Sequence, residues 1–199
     1  MSDSPRALET GGIIILIAAL VYVGGWSYAY HWYDYFELGL IGLDIPFRYH
    51  FMYGFWVLQS YWWLVLLIAL LLVAVLVFRA RLAPILVPAT PLWIFLAFLS
   101  FYSLGKFTAD ARYWDHQASG FRNYSWVRVW IKPDSGDLPT KLQKVQQDLA
   151  EGDKYRLLLE TVHALYLIRP DQDADKIPTL QVQRDRVRAM RRIPTIPGS

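Results

Sequence analysis

The chain has 199 residues, of which 55% are hydrophobic and 19% are charged, and it contains no cysteine. This apolar content excludes a disordered chain, and the missing cysteine excludes a disulfide scaffold or a cysteine-ligated metal. Residues 1–105 carry four basic against five acidic side chains, whereas residues 106–199 carry 16 against 12. The sequence therefore predicts a membrane part followed by a small, more basic domain.

Three apolar segments predict three transmembrane helices. Residues 11–33 contain no charged side chain and are apolar on every face, as lipid-facing helices are. Residues 51–78 are equally free of charge and exceed the ~30 Å hydrocarbon core, so this span should tilt or protrude. Residues 83–105 form the third span, whose regular helix should begin near Pro91 because prolines crowd its start.

The first span is expected to be retained as an anchor. Small residues at Ser27 and Ala29 offer a signal-peptide cleavage site, which keeps removal of this segment as the alternative. However, Arg6 is outnumbered by Asp3 and Glu9, so the positively charged region with which a signal peptide begins is lacking.

Basic residues near the spans predict the orientation. The short link between the second and third spans contains Arg79 and Arg81, whereas residues 34–50 contain only Arg48. Under the positive-inside rule the amino terminus is cytoplasmic and the carboxy-terminal domain extracytoplasmic, although Lys106 and Arg112 oppose this assignment. The expected localisation is thus the bacterial inner membrane, with several spans and a periplasmic domain.

Residues 34–50 form a loop that is unusually rich in aromatic and aliphatic side chains. Aromatic residues concentrate at membrane interfaces, so we expect this loop to lie on or dip into the membrane surface. Backbone at that depth must be covered by protein or water, which predicts packing against the spans or against a partner. The candidate partner-contact residues are Tyr35, Phe36, Leu40, Ile45 and Phe47.

Histidines and carboxylates flank the same loop, and together they suit a divalent metal or, for the histidines, a haem. The signal is weak because no pair has the i, i+4 spacing of a metal-binding helix, and histidines that bind water and headgroups explain the pattern equally well. We assign no cofactor. The weak metal candidates are His31, His50, His116, Asp34 and Glu37.

After a linker at residues 106–122, residues 123–194 predict a compact α+β domain with a tail at 195–199. Its helix runs for about three turns before Gly152, and Thr140 with Gln143 resembles a capping box. Four or five strands are expected, because 155–160 and 162–169 form either a tight hairpin or one bent strand. The other predicted strands cover 124–132, 180–183 and 186–193.

No catalytic motif is present: the chain lacks a glycine-rich phosphate loop, a Gly-x-Ser-x-Gly and a His-Glu-x-x-His. An arginine cluster near the end of the chain predicts either binding of anionic lipid headgroups or a solvated strand face paired with the acidic turn 171–175. Nucleic acid is not expected as a ligand, because the positive excess is small. The lipid-binding candidates are Arg184, Arg186, Arg188, Arg191 and Arg192.

The motifs Tyr35-Phe36-Glu37-Leu38-Gly39-Leu40 and Gly42-Leu43-Asp44-Ile45-Pro46, followed by two spans and a strand-rich tail, loosely resemble small bacterial inner-membrane proteins without an assigned activity. The resemblance covers mainly residues 30–105 and implies no functional residue.

The leading hypothesis is a non-enzymatic, multi-pass membrane protein whose small domain binds a protein, as a complex subunit, a sensor or a toxin-immunity protein. Its expected partners are the lipid bilayer and either a second protein or further copies of itself. One alternative is an accessory subunit of a redox or transport complex with an interfacial histidine and carboxylate site. The other is a membrane enzyme on lipid or cell-wall substrates that uses Asp34, Glu37 or Asp44.

Overall fold

The computed structural model separates into two compact units. Unit 1 comprises residues 1–32 and 45–110, and unit 2 comprises residues 33–44 and 111–199. The residues that the structure describes are 4–43, 45–64, 66–68, 70, 88–132, 139–170 and 174–193.

Helices make up the described part of unit 1. The first helix, α1 (Ser4–Asp34), and α3 (Thr90–Ala118) contain stretches long and apolar enough to cross a membrane. Between them, α2 (Phe47–Ser60) is followed by a second helical piece, Trp62–Ile68, at an angle of 79°. This bent pair fits a broken span or a re-entrant segment.

The first predicted span lies within α1, and the third overlaps α3, whose start at Thr90 agrees with the helix start expected near Pro91. Residues 83–87 of the third predicted span lie outside the described residues. The second predicted span, residues 51–78, is not a single straight helix where it is described. Tyr61 leaves the helical conformation at φ −120° and ψ 36°, which ends α2 there. The remainder of that prediction, from residue 71, lies outside the described residues.

Glycines allow the helices of unit 1 to approach each other closely. A Cβ added at Gly25 of α1 would lie 1.7 Å from the His50 carbonyl oxygen of α2, and one added at Gly54 would lie 2.2 Å from the Val21 carbonyl oxygen. Residue 25 thus faces residue 50 while residue 21 faces residue 54, so α1 and α2 run antiparallel. Small residues at such crossings are typical of packed membrane helices.

The contact between α1 and α3 is built in the same way. A Cβ added at Gly105 would lie 2.3 Å from the Gly24 carbonyl oxygen and 3.0 Å from the Tyr28 nitrogen, while Phe101 lies beside Gly24. These pairings make α1 and α3 parallel. The Ser27 hydroxyl adds a hydrogen bond to the Tyr102 carbonyl oxygen, at 2.6 Å.

Gly25→Ala is predicted to destabilise the helical unit by about 1–3 kcal/mol, because the added methyl group overlaps backbone that cannot move without separating α1 from α2. Gly12→Ala is the matched control, since nothing lies within 4 Å of a Cβ at that position of the same helix. Thermal unfolding of the two variants in detergent measures the difference. Equal melting temperatures would contradict the close crossing.

Unit 2 contains a five-stranded antiparallel sheet with the strand order β4-β3-β2-β1-β5. A helix, α4 (Thr140–Glu151), connects β1 to β2. The strands are β1 (Trp126–Ile131), β2 (Arg156–Glu160), β3 (Ala164–Ile168), β4 (Leu180–Gln183) and β5 (Val187–Ile193).

The connection between β4 and β5 forces this sheet to curl. The two strands lie at opposite edges, which are roughly 19 Å apart in a flat five-stranded sheet. Only the 3-10 turn Arg184–Arg186 joins them, and such a turn advances the chain by about 8 Å. Unit 2 is therefore a partly closed, barrel-like sheet.

One hydrophobic core holds α4 against this sheet. Leu149 of α4 is fully buried with Val127 and Val129 of β1 and with Leu165 and Leu167 of β3. The predicted strands are confirmed, and 155–169 forms the tight hairpin β2–β3.

The predicted capping box at Thr140 is wrong. Pro139 occupies the N-cap position without a side-chain hydrogen bond, so Thr140 is already the first helical residue. The predicted end at Gly152 is correct, because this residue adopts the left-handed conformation at φ +81° that favours glycine. The predicted linker also begins as helix, since α3 continues to Ala118.

Candidate functional site

The first part of the aromatic loop belongs to unit 2, where it forms a cluster with residues in the last turns of α3 and just after it. The ring of Tyr35 stacks on that of Tyr113, with centroids 3.9 Å apart and planes inclined by 9°. Phe36 is fully buried and packs edge-on against Tyr113 and Phe121, at 5.7 and 5.8 Å. We call these four residues the aromatic cluster. It fixes the loop to the carboxy-terminal domain.

Hydrogen bonds attach the same loop to the chain that leads into β4. The Ile177 backbone nitrogen donates to the Tyr35 carbonyl oxygen at 2.9 Å, and the Thr179 hydroxyl donates to the Phe36 carbonyl oxygen at 2.8 Å. The Lys176 ammonium group lies 2.8 Å from the Asp34 carboxylate. Residues 34–36 and 176–179 thus form one structural element of unit 2.

This arrangement places the predicted partner-contact residues in different surroundings. Phe36 and Leu40 are buried inside unit 2 and Tyr35 is half-buried, so these side chains stabilise the domain itself. In unit 1, Ile45 is half-buried, and Phe47 is exposed beside the ring of Tyr22. The sequence pattern was ambiguous because aromatic side chains suit a domain core as well as a membrane interface.

Phe36→Ala is predicted to destabilise unit 2 by about 3–5 kcal/mol, because it empties a fully buried aromatic site. Ile41→Ala in the same loop is the control and should change stability by less than ~0.5 kcal/mol, since Ile41 is 99% exposed. Denaturation of the full chain in detergent, followed by near-UV circular dichroism, measures both. Similar costs for the two variants would refute burial of the loop.

The three histidines of the predicted metal site have other contacts. His31 and His50 belong to unit 1, where His50 is buried with its ring edge-on to an aromatic neighbour. His116 belongs to unit 2, where its Nδ1 donates to the Arg112 carbonyl oxygen at 2.8 Å and its Nε2 lies 3.5 Å from the Asn123 amide nitrogen. Both ring nitrogens of His116 are thus used within the domain.

The two carboxylates of that prediction also lie apart from a shared centre. Asp34 pairs with Lys176, and Glu37 is exposed with its backbone at φ 56°. Among the described residues, no three histidine or carboxylate side chains are placed to hold a metal ion.

The arginine cluster near the end of the chain is partly neutralised by one carboxylate. Arg184 and Arg192 both donate to the Glu160 side chain, which joins β2 to β5. The hydrogen bond from Arg184, opposed by burial and aided by Arg192, holds the pKa of Glu160 below its ordinary value. The remaining candidates are Arg186, Arg188 and Arg191, all of them exposed.

The predicted pairing of these arginines with the acidic turn is thus replaced, for Arg184 and Arg192, by pairing with Glu160. Asp171 and Asp173 of that turn lie outside the described residues. Sequence reasoning missed Glu160 because the contact depends on the curl of the sheet.

Because the pKa of Glu160 is lowered by folding, its stabilisation is complete above the ordinary value of 4.5 and is lost as the pH falls through the folded-state value. Glu160→Gln is predicted to cost about 1 kcal/mol at neutral pH, with a smaller loss in acid. Glu37→Gln, a change at an exposed carboxylate, is the control. Urea unfolding of the full chain at several pH values tests this, and a pH-independent difference from wild type would contradict it.

An apolar cleft of about 410 Å³ opens between α4 and β4. Its polar rim includes Gln181 and Gln183, and β4 is an edge strand of the sheet. An edge strand presents backbone donors and acceptors that no neighbouring strand uses. The apolar side chains that line the cleft are Ile131, Leu142, Val145, Leu149, Leu180 and Val182.

Compared with family models, with curated proteins and with solved structures, the chain matches none.

Proposed function

We propose that the chain is a membrane-anchored protein-binding module, in which apolar helices hold a small barrel-like domain that accepts an extended, apolar segment of a partner protein. The observation that carries this proposal is the juxtaposition of the apolar cleft with the edge strand β4. Backbone hydrogen bonds along an edge strand supply affinity, and a side-chain pocket beside it supplies specificity.

The exposed part of the cleft supports an apolar partner. Leu142 is 50% exposed, whereas Leu149, two turns further along the same face of α4, is fully buried at the base. Covering Leu142 removes apolar surface from water, which favours association by about 25 cal/mol per Å². The glutamines of the rim, together with Arg186, which also lines the cleft, can satisfy polar groups of the partner.

We further propose that the chain crosses the inner membrane three times. Because α1 and α3 run parallel in unit 1, the intervening chain must cross back once if both helices span. We assign this crossing to the bent pair of helices. Helix α2 runs in the required direction, antiparallel to α1.

The positive-inside pattern supports an extracytoplasmic position for unit 2. Since the chain lacks cysteine and Ala174 is exposed, Ala174→Cys gives a single reporter on this unit. We expect a membrane-impermeant thiol reagent to label it in cells whose outer membrane is permeabilised. Labelling only after lysis of the inner membrane would reverse the orientation.

The binding site is tested with a photo-cross-linking amino acid in place of Leu142, in the full chain expressed in its native host. We expect ultraviolet light to produce one discrete protein adduct whose cross-linked peptide is extended and apolar. The matched control is the same substitution at Val162, which is 82% exposed at the β2–β3 turn, outside the residues that line the cleft.

Discrete adducts of equal intensity at both positions, or adducts with lipid alone at Leu142, would refute the cleft as a protein-binding site. An adduct with a second copy of this chain would identify the partner as a homo-oligomer, with its own extended segment in the cleft.

A further inference from the structure

A second surface of unit 2 combines arginine and tryptophan side chains. On β1, Val127 and Val129 point into the core, so the residues that alternate with them point to the opposite side of the sheet. The β1–β5 register places Arg128 opposite Arg191 on that side. We call this side of β1 and β5 the outer face, and its members are Trp126, Arg128, Trp130, Ala189, Arg191 and Ile193.

A buried arginine lies at one end of this face. The guanidinium group of Arg156 sits 4.0 Å above the centre of the Trp126 ring, and the residue is only 5% exposed. Its Nη1 donates to the Tyr124 carbonyl oxygen at 2.5 Å, but its buried Nε has no acceptor. Burial lowers the pKa of Arg156, and the positive charge of Arg122 lowers it further. Arg122 is thus a second cation that acts on the same guanidinium group.

Arg128 is in a similar situation. Its side chain packs against Gly152, its buried Nε also has no acceptor, and its nearest cross-strand neighbour is the like-charged Arg191. Like charges directly opposite each other destabilise a sheet, and a buried charge without a counter-ion is costly.

Several other cations of the domain have carboxylate partners. Lys154 contacts Asp148 and Glu151, and Arg184 and Arg192 share Glu160. Two arginines, Arg128 and Arg191, belong to the outer face, and two more, Arg122 and Arg156, lie at its end. Within the part of the chain that the structure describes, no carboxylate forms a salt bridge with any of these four.

We propose that the outer face binds the phosphate groups of anionic phospholipid headgroups. Guanidinium groups bind phosphate through paired charge-assisted hydrogen bonds, and tryptophan side chains favour the headgroup region of a bilayer. This ligand would supply the negative charge that the face lacks.

The chain itself supports a lipid over a soluble phosphate. Arg122 lies only four residues beyond the end of α3, one of the two candidate spans, so a short stretch of chain connects it to that helix. The face is also open, with Trp130 and Arg191 exposed, as contact with an extended surface requires. The inference concerns a different surface and ligand from the protein-binding cleft, and only Arg191 is shared with the cluster predicted from sequence.

The test uses the full chain in nanodiscs, with Ala189→Cys on the outer face labelled by an environment-sensitive fluorophore. Nanodiscs of phosphatidylcholine alone are compared with nanodiscs in which about one third of the lipid is phosphatidylglycerol, both containing a headgroup-attached quencher. We expect strong quenching only with phosphatidylglycerol, and loss of this quenching in high salt.

Arg122→Gln combined with Arg191→Gln should lower the ratio of docked to undocked domain by about 25-fold, since each arginine near an anionic surface contributes about fivefold. Both side chains are exposed, so folding should be preserved, and circular dichroism checks this. Lys141→Gln with Lys144→Gln removes equal charge from exposed positions of α4 and should leave the quenching unchanged.

Equal quenching in the two lipid compositions, or equal loss in the lysine control, would overturn the proposal. So would abolition of the phosphatidylglycerol effect by millimolar inorganic phosphate at constant ionic strength, because that result identifies a site for free phosphate.

Discussion

The burial of Phe36 against Tyr113 and Phe121 is the interaction on which the organisation of this protein depends. It inserts a short segment that directly follows α1 into a domain whose other residues begin at 111. The hydrogen bond from Thr179 to the Phe36 carbonyl oxygen joins positions 143 residues apart. Closing such a long loop costs conformational entropy, which the stacked and buried rings must offset.

This constraint links the two long apolar helices to the sheet domain. Because the ends of both α1 and α3 belong to unit 2, both must emerge on the same side of any membrane that the two helices cross. The glycine contacts make the helices parallel in unit 1, which leads to the same requirement independently. This requirement supports the proposed three-span arrangement.

Local patterns in the sequence predicted the individual elements well. Uninterrupted apolar runs located α1 and α3. Alternating apolar and polar residues located the strands, and Gly152 marked the end of α4. The strand order, the curl and the bend at Tyr61 were not predictable, because they depend on contacts between distant residues.

The candidate sites were less predictable still. The aromatic loop looked like a membrane-surface segment, because burial in a domain core and burial at an interface select the same side chains. Glu160 acquires its two arginine partners, and β4 its cleft, only when the sheet closes. The sequence shows the alternation of Trp126, Arg128 and Trp130 that forms the β1 part of the outer face. The pairing of Arg128 with Arg191 depends on the register between β1 and β5, which the sequence does not show.

The most direct test of the account is a disulfide between the loop and the carboxy-terminal domain in the full chain, which has no cysteine of its own. The hydrogen bond of 2.9 Å between Ile177 and Tyr35 keeps their Cα atoms within about 7 Å, inside the range for a disulfide. The account predicts rapid cross-linking of Tyr35→Cys with Ile177→Cys under mild oxidation, and little for Ile41→Cys with Ile177→Cys. Equal rates for both pairs, or none for the first in a folded protein, would contradict it.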